Sequence, residues 1–210
     1  MTLPSRAAGG LLLAALLAMV ASAAVVVPSG LTLNPTDPAA TLAAVHAKPG
    51  LHVFELALDV LGWLALTAAA LSLPAGRLPS GLLAAAGLAG LLHDAFNLSV
   101  TRLAADFHDP TTVTVAGAVL VVGKWMVNLA GLLWVAATAV AASTSAGRSG
   151  IASAGRSGIV AAVCGFAAVV LPWTTGTAGP SPVLEQVGYL LHLPVMVWWG
   201  VLGWRLVRQP

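Results

Sequence analysis

The sequence predicts an all-α fold: a polytopic membrane helix bundle with six transmembrane helices and both termini cytoplasmic. Three observations carry that expectation. Of 210 residues, 59% are hydrophobic and only 8% are charged, with a mean hydropathy of +0.94; a soluble domain needs about 25% charged residues to cover its surface. Six apolar stretches approach the roughly 20 residues that a helix needs to cross the hydrocarbon core. The basic residues fall mostly on one side of those stretches. The composition therefore excludes a soluble globule and a disordered chain. The net charge of +2 does not mark a nucleic-acid partner, because the basic residues are few and scattered. The single cysteine, Cys164, excludes an internal disulfide and any multi-cysteine metal site.

In chain order, the spans are expected at about 8–27, 51–73, 80–100, 112–142, 157–173 and 183–207, within a single integral-membrane domain covering residues 1–210. Pro28-Ser29-Gly30, Pro74-Ala75-Gly76 and the stretch from Gly176 to Pro182 punctuate them. The fourth is longer than a bilayer requires and is expected to tilt or to run on into the cytoplasm. The fifth is short and ends at Leu171-Pro172. The first follows Arg6 and contains Ala21-Ser22-Ala23, which also fits a signal-peptide cleavage site. Its apolar run continues to Val27, so an uncleaved helix is expected, with cleavage as the alternative. Ser145 to Ala152 recurs almost unchanged as Ser153 to Val160, and the Gly/Ser-rich segment at about 143–158 reads as a flexible duplicated loop.

With the N-terminus inside, Arg6, Arg77, Arg148, Arg156, Arg205 and Arg208 are cytoplasmic, and only Lys48 and Arg102 lie outside. Lys124 lies within a span. Ionisable groups inside a bilayer are costly and mark function by default. Here they form stripes. His52, Glu55, Asp59 and Trp63 share one helical face, as do Gly90, His93, Asp94 and Asn97. Lys124 and Asn128 mark the fourth span, and Glu185, Tyr189, His192, Met196 and Trp199 the sixth. Counted at about 1.5 Å per residue from the outer ends, Asp59, His93, Asp94, Tyr189 and His192 lie roughly 9–14 Å deep and Lys124 roughly 18 Å deep. A shared polar pocket facing outward is expected, because none of these groups can face lipid.

Glu55, Asp59, His93, Asp94, Lys124 and His192 are the candidate catalytic residues. Trp63, Asn97, Asn128, Tyr189 and Trp199 are the candidate substrate-binding residues. Asp59–Lys124 and Asp94–His192 are alternatively interhelical ties that hold a bundle together. His46, His52 and His108 are expected as solvated histidines in or beside outer loops, and Asp106 and Asp109 as loop and cap residues. Trp173, Trp204 and Trp198 fall near span ends, where aromatic belts sit. Cys164 reads as a buried structural thiol.

The chain resembles the small bacterial multi-pass membrane families of unknown function. The likeness rests on a first span behind an arginine and a second opening His52-Val53-Phe54-Glu55-Leu56-Ala57-Leu58-Asp59. It extends to the long fourth span, the Arg-bearing loop, and a last span with Leu193-Pro194 and Trp204-Arg205. This resemblance implies a bacterial cytoplasmic-membrane protein and carries over no activity.

On function, the leading expectation is an acid/base enzyme of cyclase or isomerase type acting on a lipophilic isoprenoid or lipid. Asp59 or Glu55 would be the acid and His93 or His192 the base. The alternatives are a small proton- or cation-coupled transporter or sensor, and a b-type haem protein ligated by His93 and His192. The expected partners are membrane lipid and a lipophilic small molecule. No cofactor is called for and no metal site is read: His52-x2-Glu55-x3-Asp59 is not the zinc-protease pattern. The orientation is tested by cysteine labelling of intact cells from outside. A cysteine at Ser149 is expected to stay unlabelled while one at Thr36 reacts; equal labelling overturns the orientation.

Overall fold

The structure is a computed structural model that describes residues 3–73, 76–146, 152–171, 174 and 182–208. These residues fold into seven α-helices: α1 (Leu3–Ser29), α2 (Pro38–Ala47), α3 (Pro49–Ser72), α4 (Arg77–Leu103), α5 (Pro110–Ala146), α6 (Ala152–Val170) and α7 (Pro182–Arg208). No strand occurs among the described residues. Five of the helices are long and apolar enough to cross a membrane, while α6 offers only the shorter apolar run Gly155–Val170. The expected stretches all begin or end a few residues short of the helices observed, because helical geometry continues into polar flanking residues that hydropathy does not count.

Two loop expectations are corrected. Residues 38–47 form a helix: the Asp37 side chain accepts the Ala40 backbone N–H at 3.0 Å, and Pro38 occupies the first turn. That Asp-Pro pair is a helix-start signal in a segment too short to register as a span. The duplicated segment is not one loop. Ser145 and Ala146 end α5, the second copy from Ser153 to Val160 is helical within α6, and residues 147–151 lie outside those described. Alanine and the neighbouring apolar run let the helix propagate through its serines and glycines. Trp173, Pro74, Ala75 and residues 175–181 also lie outside the described residues.

Helices α1, α3, α4, α5, α6 and α7 pack as a closed ring, each against the next, and α7 returns to α1. Neighbours run antiparallel, as their close contacts show. Gly62 faces Met19 and Ala15, Gly90 faces Trp63, Gly131 faces Val169, Gly165 faces Val135 and Val195, and Gly9 faces Gly203. Small residues at these crossings let backbones approach closely, which is how helices associate where lipid is as apolar as leucine. The exterior is correspondingly apolar, with Leu71 75% and Leu17 71% exposed. On α3 the leucines Leu61, Leu64 and Leu71 and Phe54 face outward while His52, Glu55 and Trp63 face inward. That inversion of the soluble pattern suits lipid as the solvent.

The two ends of the ring differ. At the end where α1 stops and α3 starts, α2 lies against α4 and α5. There Leu31, Leu33, Leu42 and Val45 pack with Val100, Ala104, Ala116 and Leu120. Asp109 caps α5 at this end; hydrogen bonds from the Thr112 hydroxyl and from the backbone N–H groups of Thr112 and Thr111 hold its carboxyl below the usual range. The other end is filled by Ala8, Leu12, Leu66, Ala69, Ala70, Leu83, Ala86, Ala137, Ala141, Ala161 and Leu206.

A methyl group on Gly90 would stand 2.1 Å from the Trp63 ring, whereas one on Gly81 would meet nothing within 4 Å. Gly90→Ala is therefore expected to cost about 1–3 kcal/mol by overpacking, with Gly81→Ala neutral or slightly stabilising. Unfolding in detergent measures both, and equal effects would show that α3 and α4 do not pack this way.

Candidate functional site

The ring encloses a cavity of about 390 Å³ in the half nearer α2. Its walls are chemically unlike. Met19, Val20, Ala23, Val26 and Val27 of α1, with Ala168 and Val169 of α6 and Leu193 and Met196 of α7, supply aliphatic lining. Leu31, Thr32 and Leu33 line it from the α1–α2 connection. The polar lining is Glu55, Asp59, His93, Asn97, Lys124, Asn128, Glu185, Tyr189 and His192, so α7 contributes to both sets. Trp63 and Trp134 also line the cavity, edge to face with ring centres 5.9 Å apart. Below them lies the packed alanine and leucine half of the bundle, so the cavity ends there.

The polar side divides into three assemblies, each built from two or more helices. In the first, Glu55 accepts from Ser22 Oγ of α1 at 3.1 Å and stands 2.9 Å from His52 Nδ1. His52 is fully buried, which corrects the expectation of a solvated loop histidine. α3 begins at Pro49, so residue 52 is already within the helix and turned into the bundle. In the second assembly, Trp63 Nε1 donates to Asp59 Oδ2 at 3.2 Å. His93 Nδ1 stands 2.7 Å from the Gly123 carbonyl oxygen, and Asn97 Nδ2 lies 2.9 Å from His93 Nε2. Donor atoms of Asp59, His93 and Asp94 all come within 4.8 Å of one another. In the third, Lys124 of α5 pairs with Glu185 of α7, and Tyr189 donates to the same Glu185 oxygen at 2.9 Å.

The expected ties are thereby corrected. Lys124 pairs with Glu185 and not with Asp59, because α7 brings a carboxylate to the α5 face. Asp94 faces Asp59, not His192. His192 packs against the edge of Trp134 at 5.3 Å and makes no hydrogen bond among the described residues. Two of the candidate residues do not reach the cavity. Asp94 is 2% exposed and lies behind Asp59 and His93. Trp199 is buried below, its Nε1 donating to Thr138 Oγ1 at 2.8 Å. Asn128 lines the cavity while its amide donates to the Val169 carbonyl at 2.8 Å.

Sequence reasoning left Glu185, Ser22 and Trp134 out of the site. Glu185 was visible four residues before Tyr189 on the same face; Ser22 and Trp134 carried no signal, since a serine in an apolar helix and a buried tryptophan are ordinary. At the α2 end, His46 is exposed but engaged: its Nδ1 stands 2.8 Å from the Ala104 carbonyl oxygen and its ring stacks on Phe107 at 4.6 Å. Trp204 is exposed with Arg208 over its ring, and Cys164 is half-buried. Comparison with protein-family models, curated proteins and solved structures finds no match for this chain. What the fold defines is a class: an all-helical bundle with several helices compatible with multi-pass insertion.

The Lys124–Glu185 pair is expected to bind α5 to α7 as a unit. Lys124→Met strands a buried carboxylate and should cost about 3–5 kcal/mol. The double change with Glu185→Gln should cost clearly less than the sum of the single ones. Strict additivity in a double-mutant cycle would show that the two side chains do not meet.

Proposed function

We propose that this is an integral-membrane acid/base enzyme acting on a lipophilic small molecule such as an isoprenoid or a lipid, in the bacterial cytoplasmic membrane. The observation that carries the reading is the cavity's mixed lining. Aliphatic side chains of α1, α6 and α7 and a set of carboxylates, histidines and one lysine from α3, α4, α5 and α7 line one space, and the packed alanine and leucine half of the bundle lies below it. A volume of about 390 Å³ falls within the roughly 300–1,000 Å³ of small-molecule pockets. Val20 and Val27 of α1 and Tyr189 and Leu193 of α7 line the cavity and are exposed. In this reading a lipophile enters between α1 and α7 from the lipid phase.

In this reading Glu55 donates the proton, with His52 behind it to return one through their hydrogen bond. His192, free of hydrogen bonds to the described residues and lining the same space, accepts a proton from the substrate. The Lys124–Glu185–Tyr189 assembly meets the polar end of the molecule. The positive-inside distribution of arginines supports six spans, cytoplasmic termini and a pocket in the extracytoplasmic half. The closed floor speaks against the transporter alternative, which needs a path to the other side.

The test is turnover in proteoliposomes, read by mass spectrometry on a panel of polyprenyl alcohols, polyprenyl phosphates and single-chain lipids, with proton flux recorded in parallel. Wild type is expected to convert at least one member without moving protons across the bilayer. Glu55→Gln and His192→Gln should each lose at least about 100-fold in rate while keeping the wild-type melting profile. Proton flux without conversion, or undiminished conversion in both variants, overturns the reading.

A further inference from the structure

We propose that Asp59, His93 and Asp94 form a binding site for one divalent transition-metal ion of the zinc class, set into the cavity wall with open coordination positions facing the cavity. The three donor atoms lie within 4.8 Å of one another on two adjacent helices, α3 and α4. Around a zinc-sized ion, ligand atoms at about 2.0–2.2 Å stand roughly 3.4 Å apart. Closing the cluster onto an ion is therefore a side-chain adjustment of about 1 Å. One imidazole with two carboxylates is a donor set for zinc, cobalt, iron(II) or manganese.

Asp94 supplies the independent observation. It is 2% exposed, and among the described residues no N–H or hydroxyl group donates to either of its oxygens, leaving the Asp59 carboxyl as its polar neighbour. A buried carboxylate left without a donor is costly, and its neighbour is a second carboxylate, not a cation. The lysine that sequence placed opposite Asp59 is engaged by Glu185. Among the described residues no lysine or arginine is within ion-pair distance of Asp59 or Asp94. A divalent cation neutralises both charges at once.

The outer contacts are those a metal site needs. His93 holds its Nδ1 against the Gly123 carbonyl at 2.7 Å, an arrangement that fixes the ring and leaves Nε2 as the ligand atom. Trp63 Nε1 orients Asp59 from 3.2 Å. Asn97 donates to Nε2 in this structure and has to release it when the ion binds. Asp59 and His93 line the cavity and Asp94 lies behind them, so the ion would be held from the wall and left open toward the substrate, as in catalytic sites. The site deepens the enzyme reading without resting on it. With the ion bound, Asp59 is a ligand, Glu55 and His192 remain the proton-transfer pair, and the ion supplies Lewis-acid polarisation to an oxygen of the substrate.

The experiment is cobalt(II) titration of the chelator-treated full-length protein in detergent, followed by visible absorption and by metal analysis after zinc loading. Wild type should bind one ion per chain with the d–d band of a four- or five-coordinate cobalt. Asp94→Asn and His93→Gln should each weaken binding by at least about 100-fold, and Trp63→Phe by about 10-fold through loss of an outer contact. Asn97→Ala should bind at least as tightly as wild type, since it frees Nε2, which a merely structural cluster would not do. His46→Gln should change nothing. Absence of stoichiometric cobalt binding to wild type, or its survival in both Asp94→Asn and His93→Gln, overturns the proposal; in the first case a shared proton, not a metal, satisfies the carboxyl pair. Should a ligand variant fail to fold, Trp63→Phe and Asn97→Ala, with opposite expected signs, decide the question. Metal binding without turnover would sink the enzyme reading alone, and turnover insensitive to chelation in a metal-free protein would sink the metal alone.

Discussion

An ionisable side chain is costly to place against hydrocarbon, and this chain carries Glu55, Asp59, His93, Asp94, Lys124 and His192 within long apolar helices. Everything else in the structure answers to that constraint. Leucines and phenylalanine turn outward on α3, and His52, Glu55 and Trp63 turn inward. Once inward, the polar groups have only one another for solvation. Glu55 takes Ser22 and His52, Lys124 takes Glu185, and Glu185 takes Tyr189 as well. The ring has to close for these contacts to exist, because α1, α3, α5 and α7 all contribute.

The same ring is packed in one half and encloses a cavity in the other, and the side chains of the two halves differ in size. Alanine and glycine are frequent in the packed half, where Gly9 meets Gly203 and Gly87 lies against Thr67. Nearer α2, Trp63, Trp134 and the paired Lys124 and Glu185 line the cavity. Three indoles grade from one regime to the other. Trp63 and Trp134 line the cavity, and Trp199 sits deeper, bonded to Thr138. The chemistry available on the polar wall follows from what each group is bonded to. Glu55 is bonded to His52, Glu185 is paired with Lys124, and Asp94 meets no N–H or hydroxyl donor among the described residues.

The polar faces of α3, α4, α5 and α7 were legible in the sequence because helical periodicity places residues three and four apart on one side. Hydropathy likewise placed six apolar stretches, five of which correspond to helices long and apolar enough to span, while the fifth stretch corresponds to the shorter α6. What periodicity does not carry is the rotation of one helix against another. Asp59 and Glu185 are equally good partners for Lys124 on paper; the packing of α7 beside α6 chooses Glu185. His52 looked solvated because a run of polar and turn-forming residues precedes it, yet the helix had already begun at Pro49. The short α2 escaped notice because ten residues are too few to register as a membrane span, although Asp37-Pro38 announced its start.

By itself, then, the sequence determined the apolar composition, the helical class and which helix faces carry the polar groups, since each follows from composition and spacing along one helix. The tertiary structure alone decided which of those side chains meet. It set Asp59, His93 and Asp94 together, gave Lys124 to Glu185, and kept Trp199 and Asp94 off the cavity surface. The physical reason is that burial is a property of a helix face, whereas a bond needs two faces at one height and one angle. Those are fixed only where glycine and alanine let the backbones touch.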